Sequence, residues 1–168
     1  MRVGNDNLPL RGHKSGVYEG GIRTPGLASW PGKLKPAEVH TPLHAVDWMP
    51  TLCALTGAKP DGDLKWDGTN IWTVVSQPTT PMPARTLYTA APGFRAQALR
   101  HGDWKLVVTH GNAKKGPPAG TAKEELFNLA SDLGETKDLA AEKPEVLAQM
   151  RQRLVEVAQR DKDAVAND

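Results

Sequence analysis

The chain has 168 residues, 39% of them hydrophobic, enough for one domain with a core and too few for two comfortable ones. Its 21 Lys and Arg nearly balance 19 Asp and Glu, and no segment interleaves basic with aromatic residues, so the electrostatic footprint of a nucleic-acid binder is excluded. The single cysteine, Cys53, rules out an intrachain disulfide, no stretch approaches the roughly 18 apolar residues of a membrane span, and the start "MRVGNDNLPL" lacks the apolar run of a signal peptide.

Residues 1–21 have almost no periodic apolar pattern and read as loop. "IRTPGLASW" (22–30) predicts a short buried strand ended by Pro31 and Gly32. "LHAVDWMPTLCALTG" (43–57) predicts a helix, with Leu43, Val46, Met49, Leu52 and Leu55 apolar and Gly57 closing it. Pro50 implies a kink or a new first turn there, with Asp47 as its cap. Cys53, on that apolar face, reads as a buried structural thiol.

The second half changes character. Residues 84–90, 96–102, 103–110 and 124–130 read as four short strands, with a tight hairpin turn at His101-Gly102-Asp103. "GNAKKGPPAGTA" (111–122) is a polar loop. From Pro144 onward, Val146, Leu147, Met150, Leu154 and Val157 fall on one face of an amphipathic helix, and one helix covering a small antiparallel sheet is the economical packing.

The opening stretch "PLRGHKSGVYEGGIRTPG" (9–26) carries the chemistry. Its glycines let the backbone turn sharply and approach a ligand, while Arg11 and Lys14 can offer charge-assisted hydrogen bonds to an oxyanion. The competing reading is a solvated lysine in a plain loop. A nucleotide P-loop is excluded, because His13 separates Gly12 from Lys14 and no glycine stands five residues before Gly12. Glu19 and Arg23 read as a structural ion pair or backbone anchor beneath the lysine. His40, His44 and Asp47 read as a hydrogen-bond cluster at a helix start rather than a metal site, and Trp72 and Trp104 as packing residues.

The motifs "PLRGHKSGVYEGGIRTP" (9–25), Trp30-Pro31-Gly32, "DWMPTLCALTG" (47–57), "WDGTNIW" (66–72), "LRHGDWKLV" (99–107) and "ELFNLASDLGETKDLA" (125–140) together resemble the sulfatases of the alkaline phosphatase superfamily, with arylsulfatase B-type enzymes nearest in look. The resemblance implies an α/β fold: the carboxy-terminal part of an alkaline-phosphatase-like domain over 1–83, then a small antiparallel sheet packed with a C-terminal helix over 84–168. It implies a sulfuric ester hydrolase with a formylglycine nucleophile and a bound calcium, and a periplasmic, secreted or lysosomal location. It makes Lys14 the catalytic residue and sulfate contact, with His13 bordering the substrate pocket. The expected partner is a sulfate ester, including sulfated carbohydrate, with neither nucleic acid nor membrane.

The nucleophile motif of that family has Cys or Ser, then Pro two and Arg four positions later. Cys53 is followed by Ala54, Leu55, Thr56 and Gly57, and "PMPAR" (81–85) has Pro81 in the nucleophile's place. Asp6-Asn7 offers hard oxygen donors, but Leu8 replaces the expected glycine, so a turn is the preferred role and no metal ligand is assigned. The chain therefore reads as a carboxy-terminal sulfatase fragment, inactive by itself, whose calcium and nucleophile come from a missing amino-terminal part. The alternatives are a non-catalytic domain that binds sulfated glycans or a protein, and a truncated gene product.

Overall fold

The computed structural model describes residues 7–62, 64–110 and 122–163. They form two compact units: Met1–Thr24 with Ala84–Asp168, and Pro25–Pro83. One unit boundary falls between Pro83 and Ala84, and the opening segment groups with the second half.

In the first unit, β1 (Thr86–Ala90), β2 (Ala96–His101), β3 (Trp104–Thr109) and β4 (Lys123–Asn128) form a four-stranded antiparallel sheet in sequence order. These are the four short strands expected from the sequence. The β2–β3 turn is two residues long, pairing His101 with Trp104 across Gly102, whose φ of 60° is easy only for glycine. Because side chains alternate across a strand, the sheet serves two cores. Ala98, Val107 and Phe127 meet Val17, Ala91 and Leu129 on one face. On the other, Leu99, Leu106, Val108 and Leu126 meet Leu147 and Met150 of the C-terminal helix Pro144–Asp163. That helix starts as expected, with Pro144 preset for the first turn and Glu145 favourable at its positive end. Much of the 111–122 loop lies outside the described residues.

The second unit holds a 3-10 turn (Ala45–Asp47), a helix Trp48–Thr56 and a short helix Trp72–Ser76. Of the expected helix-start cluster, His44 and Asp47 come together and His40 does not, lying exposed 3.6 Å from Glu38: His44 accepts from Val46 N, and the buried Asp47 carboxylate accepts from His44 N at 2.7 Å and Thr69 N at 3.1 Å. Pro50 sits in the first turn of the helix, and Gly57 closes it at φ 72°. Trp72 packs on Trp30, ring centroids 5.5 Å apart, and Trp104 packs against the C-terminal helix cluster.

Three expectations are corrected. Residues 23–30 form no strand and are exposed, Leu27 at 95%, since Pro25 and Gly26 interrupt the run and no described segment pairs with it. Val46, Met49 and Leu52 are exposed, while Asp47, Pro50 and Thr51 are buried. A spacing of three falls short of the 3.6-residue turn, so such a series drifts around the helix instead of keeping to one face. Cys53 is accordingly half-buried, not buried.

Candidate functional site

The loop from Leu10 to Ile22 lies over the first face of the sheet and ends in a single helical turn, Glu19–Ile22. Two glycines make its closure possible. A Cβ on Gly20 would sit 2.6 Å from Arg11 O, and one on Gly21 would sit 2.6 Å from Gly16 O. With no side chain there, Gly20 N donates to Arg11 O at 2.7 Å, and Asn7 Nδ2 donates to Gly20 O at 2.9 Å and Gly12 O at 3.1 Å. Asn7 thus takes a turn-forming role; Asp6 lies outside the described residues.

Beneath the loop is a buried ionic lock. Lys105 of β3, 1% exposed, places Nζ 2.8 Å from Glu19 Oε1 and 2.8 Å from Glu135 Oε1. The other Glu135 oxygen accepts from Glu19 N at 2.6 Å. Burial pushes the Glu135 carboxyl above its usual range, and the Lys105 charge opposes that push. Arg23 reaches Glu19 at 3.8 Å, the expected pair, as a weaker partner than Lys105.

Beside it stands a second lock. Arg11 donates to Glu125 Oε1, to Glu135 O and to Tyr18 OH, each at 3.2 Å, and lies 3.9 Å over the Tyr18 ring. Tyr18 OH donates to Glu125 Oε2 at 2.5 Å. Burial works to raise the Glu125 carboxyl, but hydrogen bonds from Tyr18 and Lys123 and the Arg11 charge prevail and hold it below the usual range. Burial and then the Glu125 bond push the Tyr18 phenol up to about 12. Arg11, expected as an oxyanion donor, is therefore committed to the scaffold.

Lys14 and His13 stand at the exposed outer turn of this loop. The His13 ring Nδ1 lies 3.0 Å from Lys14 O, a contact that fixes backbone rather than either charge. Among the described residues no hydrogen bond or ion pair engages the Lys14 ammonium, which leaves it open to a ligand. Ser15, the next residue, holds φ 70°. The arrangement is an exposed, unengaged cation on a hydrogen-bonded loop, suited to meeting an oxyanion.

Lys105, Glu125 and Glu135 are the site-supporting residues that sequence reasoning missed. The signal available was a lysine inside the apolar run "WKLVV" of β3, whose neighbours Leu106 and Val107 are fully buried. A buried lysine needs carboxylate partners, and the chain supplies them from far away in sequence.

The sequence model of the Sulfatase family matches residues 2–58. A sulfatase of Formosa agariphila is 33% identical over 155 residues, covering 83% of this chain and 26% of that protein. Human arylsulfatase A is 31% identical over 171 residues, covering 90% of this chain and 34% of the enzyme. The crystal structure of Ps i-CgsB superposes with a TM-score of 0.70 at 28% identity over 96% of this chain and 33% of its own, and a second structure holds it in complex with a k-i-k-neocarrahexaose. The chain thus spans about a quarter to a third of the length of these proteins.

Proposed function

Because this chain belongs to the sulfatase family, we propose that it carries the lysine-bearing part of a sulfuric ester hydrolase whose complete form cleaves aryl or carbohydrate sulfate esters. The observation that carries the reading is Lys14, an unengaged cation at the outer turn of a loop fastened by one buried and one half-buried ionic lock. Its ammonium offers three donors to sulfate oxygens and stabilises the charge that develops on the sulfuryl group as it passes from the ester oxygen to the nucleophile. His13 borders the same ligand. The carbohydrate class draws support from Ps i-CgsB, which is seen with a bound neocarrahexaose.

The nucleophile, a formylglycine, and the calcium belong in this reading to sequence outside these 168 residues. Cys53 lies within the helix Trp48–Thr56 and lacks the proline and arginine of the nucleophile motif. Among the described residues no three or more His, Cys, Asp or Glu side chains gather to hold a metal ion. Lys14 acts here through its own charge. The protein acts in the periplasm, outside the cell or in the lysosome; no described helix is long and apolar enough to cross a membrane.

The test is a titration of the isotopically labelled chain with a chromogenic aryl sulfate, following amide shifts and colour together. Saturable shifts at residues 12–16 that vanish in Lys14→Ala, without turnover, are expected. Lack of any Lys14-dependent shift overturns the assignment of Lys14, and turnover overturns the placement of the nucleophile outside the chain.

A further inference from the structure

Among the described residues, Ser15, Lys65, Phe94 and Glu135 are the non-glycine positions with positive φ. Such backbone is strained and persists only where the surroundings over-determine it, and it gathers at ligand contacts. One of these positions, Ser15, is joined by a hydrogen bond to the residue that follows another, Phe94. Arg95 Nη2 donates to Ser15 O at 3.0 Å, which sets the Pro92–Phe94 turn against the loop that carries Lys14.

The turn is firmly held. Phe94 N donates to Ala91 O at 2.9 Å, Ala91 N to Ala96 O at 2.8 Å, and His110 N to Arg95 O at 2.8 Å. These bonds fix Gly93 at φ 67° and Phe94 at φ 52°. They use none of the Phe94 side chain, which is 63% exposed, and a Cβ on Gly93 would meet nothing within 4 Å. A ring 63% exposed gives the fold little burial energy in return for its strained backbone. Arg95 spends one donor on Ser15 and remains exposed, so the rest of its planar fork faces solvent beside Lys14.

We infer that Phe94 and Arg95 form a second recognition element next to Lys14, selecting a sugar that carries a second sulfate besides the ester that Lys14 contacts. The inference rests on the Lys14 reading given above. Arg95 takes the second sulfate through its remaining donors, and the Phe94 ring meets the apolar face of the sugar. Two exposed cations on touching loops also concentrate positive potential where a polyanionic sugar arrives.

The experiment titrates the labelled chain, at low ionic strength, with inorganic sulfate, glucosamine 6-sulfate and glucosamine 2-N,6-O-disulfate. The disulfate is expected to bind about tenfold more tightly than the monosulfate, the ratio that one hydrogen bond to a charged group supplies, with shifts at residues 93–95 as well as 12–16. Arg95→Gln, whose amide retains a donor for Ser15 O, brings that ratio close to one. Phe94→Ala weakens both sugars relative to inorganic sulfate.

An unchanged ratio in Arg95→Gln, with its thermal midpoint retained, overturns the inference, as does the absence of sugar-induced shifts at 93–95. Should Arg95→Gln not fold, Arg95→Lys, which keeps the charge without the fork, is expected to lose most of the preference, and full retention overturns the inference. Arg95-dependent shifts at 93–95 without any Lys14-dependent response to sulfate would remove the Lys14 reading and leave the second element standing.

Discussion

Replacing Lys105 by methionine tests the buried lock most directly. The substitution keeps an unbranched chain of similar length in the core and removes the cation that lies 2.8 Å from Glu19 and 2.8 Å from Glu135. At an effective dielectric of about 20, each such contact is worth several kcal/mol of Coulomb energy, offset by the desolvation of the charges. The net loss expected when one partner of a buried ionic group disappears is about 3–5 kcal/mol. That is a large share of the roughly 5–15 kcal/mol that stabilises a domain.

Urea unfolding of the chain, followed by circular dichroism at several pH values, provides the measurement. Without Lys105 the Glu135 carboxyl, which burial already pushes up, is harder still to ionise in the folded state than in the unfolded one. The folded state then binds more protons above the unfolded carboxyl range, so the variant gains stability as pH falls from 7 toward that range. Glu135→Gln should cost less, about 1–2 kcal/mol, because its carbonyl still accepts from Glu19 N and one buried charge is gone. Combined with Lys105→Met it should be clearly less than additive. A Lys105→Met loss under about 1 kcal/mol, with the pH profile of the parent, would refute the claim that this ammonium balances the two carboxylates.

Three further outcomes follow from the geometry. Tyr18 has its phenol raised from 10.0 to about 12, so the folded state holds its proton longer than the unfolded state. Its contribution is fully present below pH 10 and is lost as pH rises toward 12; Tyr18→Phe should abolish that alkaline limb in urea melts. Gly20→Ala drives a Cβ to 2.6 Å from Arg11 O and should lower stability by about 2 kcal/mol or more, read as a fall in thermal midpoint, whereas Gly26→Ala, with nothing within 4 Å, should not. Asp47→Ala leaves His44 N and Thr69 N without their acceptor and should cost about 1–3 kcal/mol, with faster hydrogen exchange at Thr69.

What the sequence made legible follows the range of the interaction that decides each element. The four strands and the helix Pro144–Asp163 were readable because alternation, a glycine turn and a proline start are local signals. The His44–Asp47 cluster was readable for the same reason, its partners being three residues apart. The run at 22–30 misled because burial of a short apolar segment depends on a neighbour, and a neighbour is not a property of the segment. The lock under the Lys14 loop is the extreme case. Lys105 and Glu19 are 86 positions apart and Glu19 and Glu135 are 116, so even a lysine that stands out inside an apolar run has partners that nothing local names.

The same separation explains the division of labour in the site. Lys14 sits in "GHKSG", where glycines permit a tight loop but fix nothing by themselves. The loop acquires one position only because its end, at Glu19, is bonded to a β3 lysine and to a glutamate beyond β4, while its start, at Arg11, is bonded to Glu125 of β4. Both ends are thereby referred to one rigid sheet, and the ammonium between them can stay exposed and unpaired without being misplaced. A cation that must meet an oxyanion needs that combination, since pairing it within the fold would fix it but neutralise it. Here the charges at the two loop ends supply the fixing, and under the proposed function Lys14 keeps its charge for a ligand.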